Sequence, residues 1–230
     1  KDYGKLSNRS LDDMIAGSRI EVESYKKNPL DFVLWKPSAE DDDISAIFDS
    51  PWGKGRPGWH IECSALALRE LGTTIDLHGG GSDLIFPHHE CERAQSEAAT
   101  GQPFVKHWMH VAMVSMDGHK MSKSRGNLVF VDKLRTQHDP MAIRLGLIEH
   151  HYRTEWEWDD GLMARNEARL ANWKSAAQVG GSRGDIGLLA DVRSALDNDL
   201  DSPTAVALID AAAGKGLAVG DSARLLGVVI

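Results

Sequence analysis

The chain has 230 residues, a formal net charge of −8 and a hydrophobic content of 42%. This composition is typical of a globular protein with one sizeable core and a smaller helical domain, and the acidic balance argues against a surface dedicated to nucleic acid. No apolar run approaches the ~20 residues that a membrane helix needs, and no apolar leader indicates export, so we expect no membrane association.

The cysteine content indicates where the protein works. Cys63 and Cys91 are the only two cysteines, which argues against a disulfide scaffold and favours a reducing compartment. We therefore expect a cytoplasmic protein, which we take to be monomeric. Because the first residue is Lys1 rather than Met, we also expect the chain to be a fragment or a processed product.

Irregular, charged sequence occupies residues 1–58, and helix and strand signals begin at Trp59. WHIECSALALRELG predicts a helix that ends at Gly72, TTIDLH predicts a strand, and GGGSD predicts a loop. PHHECERAQSEAATG predicts a helix that begins at Pro87 and ends at Gly101. The apolar run HWMHVAMVSM then predicts one buried strand, and DGHKMSKSRGN predicts a polar loop.

The second half of the chain is predicted to be helical. Pro140 leads one helix, and after about residue 159 every segment has a helical pattern, with Ser202 as the N-cap of SPTAVALIDAAAG. GGSRGD at 180–185 is the predicted linker. The order strand–helix–strand followed by helices predicts the α/β class, with part of a sheet domain preceding a helical domain.

A candidate metal site comes from two neighbouring helices. His88 and Glu92 are four residues apart and share one helical face, and Cys63 lies on the preceding helix. A thiolate, an imidazole and a carboxylate form a plausible zinc set, with the fourth position open or filled from elsewhere. Spacing alone leaves open a buried cysteine beside a surface His–Glu pair, or Cys91 as the ligand. Further histidines could orient these ligands or simply pack: His60, His78, His89, His107 and His110.

A candidate phosphate site lies in HKMSKSRGN. Lys120 and Lys123 alternate there with serines and precede a glycine. Lysines suit phosphate oxygens, and a flexible loop that bears them can close over a triphosphate. The alternative is a solvated basic hairpin tip. GGGSD permits close approach of a nucleotide to the backbone, with Asp83 available for ribose hydroxyls.

Three separated motifs in this order resemble one family. KMSKS at 120–124, GWHIECSA at 58–65 and HGGGSDLIFPHHE at 78–90 are similar to the cysteinyl-tRNA synthetase family, which includes the mycothiol-pathway cysteine ligase. The resemblance implies the second half of a class I Rossmann-like catalytic domain followed by an α-helical domain. It implies the following boundaries: 1–58 for the end of a connecting insertion and a loop, 59–150 for the catalytic half, and 151–230 for the helical domain.

The resemblance also implies roles for individual residues. Cys63, His88 and Glu92 correspond to three of four zinc ligands, which hold the substrate cysteine through its thiolate. Trp59 corresponds to the aromatic wall of the amino-acid pocket. The nucleotide residues are implied to be Gly81 and Asp83 for adenosine, Val114 for adenine, and Lys120 and Lys123 for the triphosphate. Position 91 is a departure, because the synthetases usually have Asn where this chain has Cys.

The implied reaction is attack of the cysteine carboxylate on ATP, with magnesium, to give cysteinyl-adenylate and pyrophosphate. The first expected acceptor is tRNA(Cys), and the alternative is glucosaminyl-inositol, because the helical segments resemble the sugar ligase. A third interpretation is a non-catalytic zinc- and nucleotide-binding paralogue, since the family's HIGH signature does not occur in this sequence. For the same reason, the isolated chain is predicted to be inactive.

Overall fold

The computed structural model describes most of the chain, namely residues 3–16, 26–28, 30–121, 123–179 and 186–230. The predicted linker at 180–185 and Ser122 of the KMSKS motif lie outside these residues. The chain divides into two compact units, Lys1–His110 and Val111–Ile230. Helices and short strands occur in both, so the predicted α/β class is confirmed.

Among its described residues, the first unit contains two small sheets and three α-helices. The elements are α1 (Leu11–Ala16), β1 (Trp35–Pro37), β2 (Gly55–Pro57), α2 (Trp59–Leu71), β3 (Ile75–Gly81), α3 (Glu90–Thr100) and β4 (Val105–Val111). Strands β1 and β2 pair in antiparallel register, with Trp35 opposite Pro57, and β3 and β4 form a second two-stranded sheet.

Strand β3 includes all three glycines of GGGSD, so the predicted loop is shorter than expected. Only Ser82 and Asp83 leave the strand, in the 3-10 turn Ser82–Leu84. A Cβ atom at Gly80 would lie 2.7 Å from the imidazole ring of His89. Glycine is therefore needed at this point in the strand because a ring occupies the space of a side chain.

Helix α3 begins at Glu90 rather than at Pro87. The preceding residues Ile85–His89 form a π-helical turn in which Phe86 is extended, with φ −139° and ψ 133°. The helix ends as predicted at Gly101, which adopts φ 67° and donates its N–H to the carbonyl of Glu97. A left-handed glycine at this position satisfies a carbonyl that the helix leaves unpaired. The predicted end of α2 at Gly72 is likewise confirmed.

The second unit combines a three-stranded sheet with six helices among its described residues. Strand β5 lies between β6, which is antiparallel to it, and β7, which is parallel to it. The elements are β5 (Val114–Met116), β6 (His119–Lys120), α4 (Val131–Leu134), α5 (Pro140–Ile148), β7 (Trp156–Glu157), α6 (Leu162–Val179), α7 (Ile186–Asp197), α8 (Ser202–Ala213) and α9 (Gly220–Leu225).

The apolar run HWMHVAMVSM forms two strands, β4 and β5, rather than the single buried strand predicted. Much of it is only half-buried. Strand β5 then turns into β6 through Asp117 and Gly118, which both have positive φ angles of 54° and 69°. Two left-handed residues are what a two-residue hairpin requires, and Asp-Gly is a favoured pair for this turn.

The two units differ in what they bury. The helices of the second unit enclose an apolar core that includes Leu145, Trp173 and Ile209. Asp201, rather than the predicted Ser202, caps α8 by accepting a hydrogen bond from the Thr204 amide. The first unit buries apolar residues too, such as Ile75 and Phe104, but it also buries a run of ionisable side chains, namely His88, His89, Glu90, Cys91 and Glu92. Within the described residues, none of the helices combines the length and apolar character of a membrane span.

Candidate active site

The proposed metal ligands come together in the first unit. Cys63 lies on α2, His88 lies in the turn before α3, and Glu92 lies in the first turn of α3. One potential ligand atom from each residue lies within 4.8 Å of the others. His88 and Glu92 are 5% and 1% exposed, and Cys63 is half-buried. The site is therefore closed on the side of the helix and accessible near the thiol.

Glu92 is the central residue of this cluster. Its Oε1 lies 3.3 Å from His88 Nε2, and its Oε2 lies 3.1 Å from His78 Nε2. Neither buried oxygen has a hydrogen bond of acceptable geometry to any residue that the structure describes. A buried carboxylate without such bonds is costly, so a cation between these donors would stabilise it. The donor set of sulfur, imidazole and carboxylate fits zinc.

Imidazole rings surround Glu92 on the other side. His78 and His89 form a second set of three possible ligands with Glu92. His60 Nδ1 lies 2.7 Å from His88 Nδ1, and His89 Nδ1 lies 2.8 Å from His110 Nε2. Four of the five histidines expected near the ligands are therefore linked to the cluster, whereas His107 is exposed on β4.

Burial sets the charge of this cluster. It lowers the pKa of His60 and His88, and it lowers the pKa of His89 to about 4. Burial alone would raise the pKa of Glu92, but His78 and His88 outweigh it and hold that pKa below its usual value. At neutral pH the rings of His60, His88 and His89 are therefore neutral and the Glu92 carboxylate is anionic, which are the protonation states that metal binding requires.

The two cysteines have different surroundings. Burial and the Glu92 carboxylate raise the pKa of Cys63, so its thiol is protonated at neutral pH unless a cation lies beside it. Cys91 is completely buried, and its sulfur lies 3.2 Å from the Tyr3 hydroxyl. Burial raises the pKa of Cys91 to about 11. Cys91 belongs to neither ligand set among the described residues, which disfavours it as the alternative ligand.

Trp59 lies beside the metal cluster. Its ring stacks on His88 with a centroid separation of 4.1 Å and an interplanar angle of 25°. The side chain is 59% exposed even though its neighbour is buried. A large exposed aromatic face next to candidate ligands can form one wall of a small pocket.

The expected nucleotide residues lie in both units. Gly81 ends β3, and Asp83 is exposed in the 3-10 turn that follows it. In the second unit, Val114 begins β5, Lys120 ends β6 and Lys123 begins the 3-10 turn Lys123–Arg125. Both lysines are exposed.

The sheet of the second unit supports the lysine-bearing loop. Strand β5 pairs with β7 through Val114 opposite Trp156, and the Gly118 amide donates a hydrogen bond of 2.5 Å to the Glu157 carboxylate. The β5–β6 hairpin, which leads directly into the KMSKS motif, is therefore held at both its base and its tip.

Comparison with known families assigns the chain. Residues 1–168 match the model described as "tRNA synthetases class I (C) catalytic domain". The chain belongs to the class I tRNA synthetase catalytic-domain family. The match covers the candidate metal ligands, the KMSKS motif and the first part of the helical region. The resemblance to the synthetase family that the three motifs indicate is thus confirmed.

Two kinds of relatives resemble this class I synthetase chain. A cysteine–tRNA ligase of Paramagnetospirillum magneticum is 46% identical, and the alignment covers 100% of this chain and 51% of the relative. An L-cysteine:1D-myo-inositol 2-amino-2-deoxy-α-D-glucopyranoside ligase of Thermobifida fusca is 54% identical over 80% of this chain and 45% of the relative. The chain spans about half the length of the curated relatives it matches.

The fold also resembles that of a solved synthetase. The LeuRS–tRNA–LeuAMS ternary complex of Agrobacterium radiobacter matches with a TM-score of 0.50 and 14% identity. The match covers 79% of this chain and 32% of that one. At this level of identity the likeness concerns the fold alone, and it agrees with the class I family assignment.

One part of the site escaped the sequence analysis. The segment from Tyr3 to Ser10 contacts the ligand helix, and Ser7 donates two hydrogen bonds to the buried Glu90. The available signal was a second acidic residue in HHECE, two positions before Glu92. A glutamate at the start of a helix is common on protein surfaces, so this residue alone does not indicate burial.

Proposed function

We propose that this protein activates L-cysteine with ATP and then transfers the cysteinyl group to an acceptor, as a ligase. The observation that carries the proposal is the convergence of Cys63, His88 and Glu92 beside the exposed ring of Trp59. Membership in the class I synthetase family and relatives named as cysteine ligases support the same function.

The metal cluster would select cysteine. Cys63, His88 and Glu92 would hold zinc, which when bound would supply a Lewis acid that prefers a thiolate to the hydroxyl of serine. Trp59 would bound the pocket and exclude water from one side. Zinc would distinguish the sulfur of cysteine from the harder oxygen of serine, so no separate editing step would be needed.

The proposed activation step is attack of the cysteine carboxylate oxygen on the α-phosphorus of ATP. The bond from the α-phosphorus to the bridging oxygen breaks, and pyrophosphate leaves with magnesium. The carboxylate is ionised at neutral pH, so no general base is required. Lys120 and Lys123 would stabilise charge on the departing phosphates. Gly81, Asp83 and Val114 are proposed to contact the nucleoside.

The first candidate acceptor is tRNA(Cys). A relative named as a cysteine–tRNA ligase aligns with the whole of this chain, which supports this acceptor. We also propose that the enzyme is a cytoplasmic monomer, since two unpaired cysteines suit a reducing compartment.

The second candidate acceptor is the amine of glucosaminyl-inositol. Relatives named as ligases of that amino sugar reach 54% identity, whereas relatives named as cysteine–tRNA ligases reach 46% to 47%. The alignments of the amino-sugar ligases cover 80% to 95% of this chain, and those of the cysteine–tRNA ligases cover 95% to 100%. Identity and coverage therefore favour different acceptors.

A parallel assay tests both steps. The full-length gene product is incubated with labelled cysteine and ATP, and pyrophosphate exchange is measured first. Cysteine-dependent exchange, with serine inactive, is the expected result, and its absence would overturn the proposal in favour of a non-catalytic zinc- and nucleotide-binding paralogue. The charged enzyme is then offered tRNA(Cys) or glucosaminyl-inositol, and the labelled product identifies the acceptor.

A further inference from the structure

A short segment outside the proposed ligand set contacts α3 and the turn before it, which carry Glu92 and His88 respectively. We call residues 3–10 the latch loop. The loop is closed by a hydrogen bond of 3.0 Å from the Arg9 amide to the Gly4 carbonyl. Gly4 has φ +98°, and a Cβ atom there would lie 2.4 Å from the Arg9 carbonyl oxygen. The loop therefore has one tight conformation that needs glycine.

The main contact of the latch loop is with Glu90. This side chain is completely buried, and its Oε2 accepts hydrogen bonds from the Ser7 amide at 2.8 Å and the Ser7 hydroxyl at 2.9 Å. Hydrogen bonds to a buried carboxylate are strong because they replace the water that the group has lost. The Glu90–Ser7 pair thus fixes the start of α3 to the loop.

Two further contacts lie on either side of this pair. The Tyr3 hydroxyl lies 3.2 Å from the sulfur of Cys91, and the Arg9 guanidinium lies 4.8 Å from the centre of the Phe86 ring. The latch loop therefore touches residues 86, 90 and 91, which alternate in sequence with the proposed ligands His88 and Glu92. Successive helical residues are about 100° apart, so Glu90 and Glu92 project about 200° apart, to opposite sides of the helix.

The residues before α3 form an irregular turn. Phe86 is extended, and the next residues form a π-helical turn before regular α3 begins. The Glu90 amide donates there to the carbonyls of Ile85 and Pro87. Because this turn is wider than a regular helical turn, the contacts of the latch loop add a second restraint on the segment that carries His88.

We propose that the latch loop is a positioning device for the metal site and that Glu90 is its main positioning residue. By holding α3 from the side opposite Glu92, it sets the distance of His88 and Glu92 from Cys63. This inference rests on the metal site proposed above, and it assigns a role to Ser7 and Glu90, which belong to neither candidate ligand set among the described residues. Loss of the latch would weaken zinc binding without removing any ligand.

The test measures zinc affinity in the full-length gene product by competition with a chromophoric chelator. Glu90→Ala is expected to weaken zinc binding about tenfold or more, as loss of a ligand-supporting group does. Glu90→Gln keeps an oxygen that can accept from Ser7 and should bind zinc much as the wild type does. Glu97→Ala is the matched control, because Glu97 lies on the same helix but bonds only to Arg93 and the Phe104 amide among the described residues.

Unfolding of the metal-free variants separates positioning from stability. Glu90→Ala and Glu97→Ala should both unfold more easily, but only Glu90→Ala should lose zinc affinity. Equal zinc affinity in Glu90→Ala and wild type, or an equal loss in Glu97→Ala, would overturn the proposal. If Glu90→Ala does not fold, Ser7→Ala provides the same test, with a smaller loss of zinc affinity expected. An unchanged zinc affinity in Ser7→Ala would then overturn the proposal.

The result is separable from that of the proposed function. The protein could bind zinc with an affinity that depends on Glu90 and yet show no cysteine-dependent pyrophosphate exchange. That result would support the positioning role of the latch loop and refute the proposed activity. A wild-type protein that does not bind zinc would overturn both.

Discussion

His60 and His88 face each other through their Nδ1 atoms, which lie 2.7 Å apart. At this distance one ring must donate a proton and the other must accept it. The remaining nitrogen of His88, Nε2, points toward Glu92 Oε1 at 3.3 Å. If Nε2 is to bind a metal, it must carry a lone pair, so His88 has to donate from Nδ1 and His60 has to accept. His60 therefore selects the metal-binding tautomer of His88.

The first prediction follows from this pair. His60→Ala should weaken zinc binding by about 10- to 100-fold, the usual cost of losing a group that orients a ligand. His60→Asn offers an acceptor oxygen near the position of Nδ1 and should retain most of the affinity. Chelator competition measures both variants. Wild-type affinity in His60→Ala would show that His88 does not need this partner.

The second prediction concerns the two cysteines. Cys63→Ala should lose bound zinc and the preference for cysteine over serine, because it removes the sulfur ligand of the proposed site. Cys91→Ala is the control, since its sulfur contacts Tyr3 and belongs to neither candidate ligand set in the described part of the chain. Elemental analysis and pyrophosphate exchange with each amino acid are the measurements. Zinc retained in Cys63→Ala would contradict the assignment.

The third prediction concerns the KMSKS loop. Lys123→Ala should lower the rate of pyrophosphate exchange by about 10²- to 10³-fold, which is typical for loss of one group that stabilises developing charge. Its zinc content should not change. Lys133 is an exposed lysine on α4 whose ammonium group lies over the Phe130 ring. Lys133→Ala should keep full activity. Similar rates in both variants would argue against a role for Lys123.

The fourth prediction concerns the helical core. Trp173 is 0% exposed, and its Nε1 donates a hydrogen bond of 2.7 Å to Asp210. Trp173→Ala should reduce the free energy of unfolding by about 3–5 kcal/mol through the cavity that it leaves. Trp173→Phe keeps most of the ring and should cost about 1–2 kcal/mol for the lost hydrogen bond, because Asp210 keeps its ion pair with Arg169. Urea unfolding followed by circular dichroism measures both, and equal losses would contradict the hydrogen-bond contribution.

The fifth prediction is a dependence of stability on pH. Hydrogen bonds from Arg153 and Tyr152 lower the pKa of Asp199 to about 2, from 3.8 in the absence of these partners. Because the folded pKa lies below the unfolded one, this stabilisation is present above about pH 4 and is lost as the pH falls toward 2. Asp199→Asn should be less stable than wild type at pH 6, and the difference should shrink between pH 4 and pH 2. Thermal unfolding across this range measures it, and a constant difference would exclude the carboxylate as its source.

Local signals predicted the helices more reliably than the strands. Gly72 and Gly101 end α2 and α3 because a left-handed or otherwise open residue is needed at each end, which a sequence displays directly. The run HWMHVAMVSM was wrongly assigned to one buried strand. An apolar run does not reveal where its hydrogen-bonding partner changes, and here the change from β4 to β5 occurs between its valines.

The sequence predicts the candidate metal ligands but not the residues that contact the ligand-bearing segment from outside. His88 and Glu92 share one face at a spacing of four residues, and the motifs placed Cys63 nearby. Glu90 and Ser7 are 83 residues apart in the chain, and no periodic pattern relates them. Tertiary contacts between a loop and a helix start leave little trace in composition, so only the structure brings these two residues together.

The buried residues of the first unit include three side chains of the candidate metal site, His88, His89 and Glu92, beside apolar ones. Changes to these three side chains would therefore affect both the proposed selection of cysteine and the packing of the unit. An attempt to retarget the enzyme to another amino acid by changing these residues would disturb the unit that carries them. Trp59, which is 59% exposed, is the position from which the pocket could be reshaped while the interior stays intact.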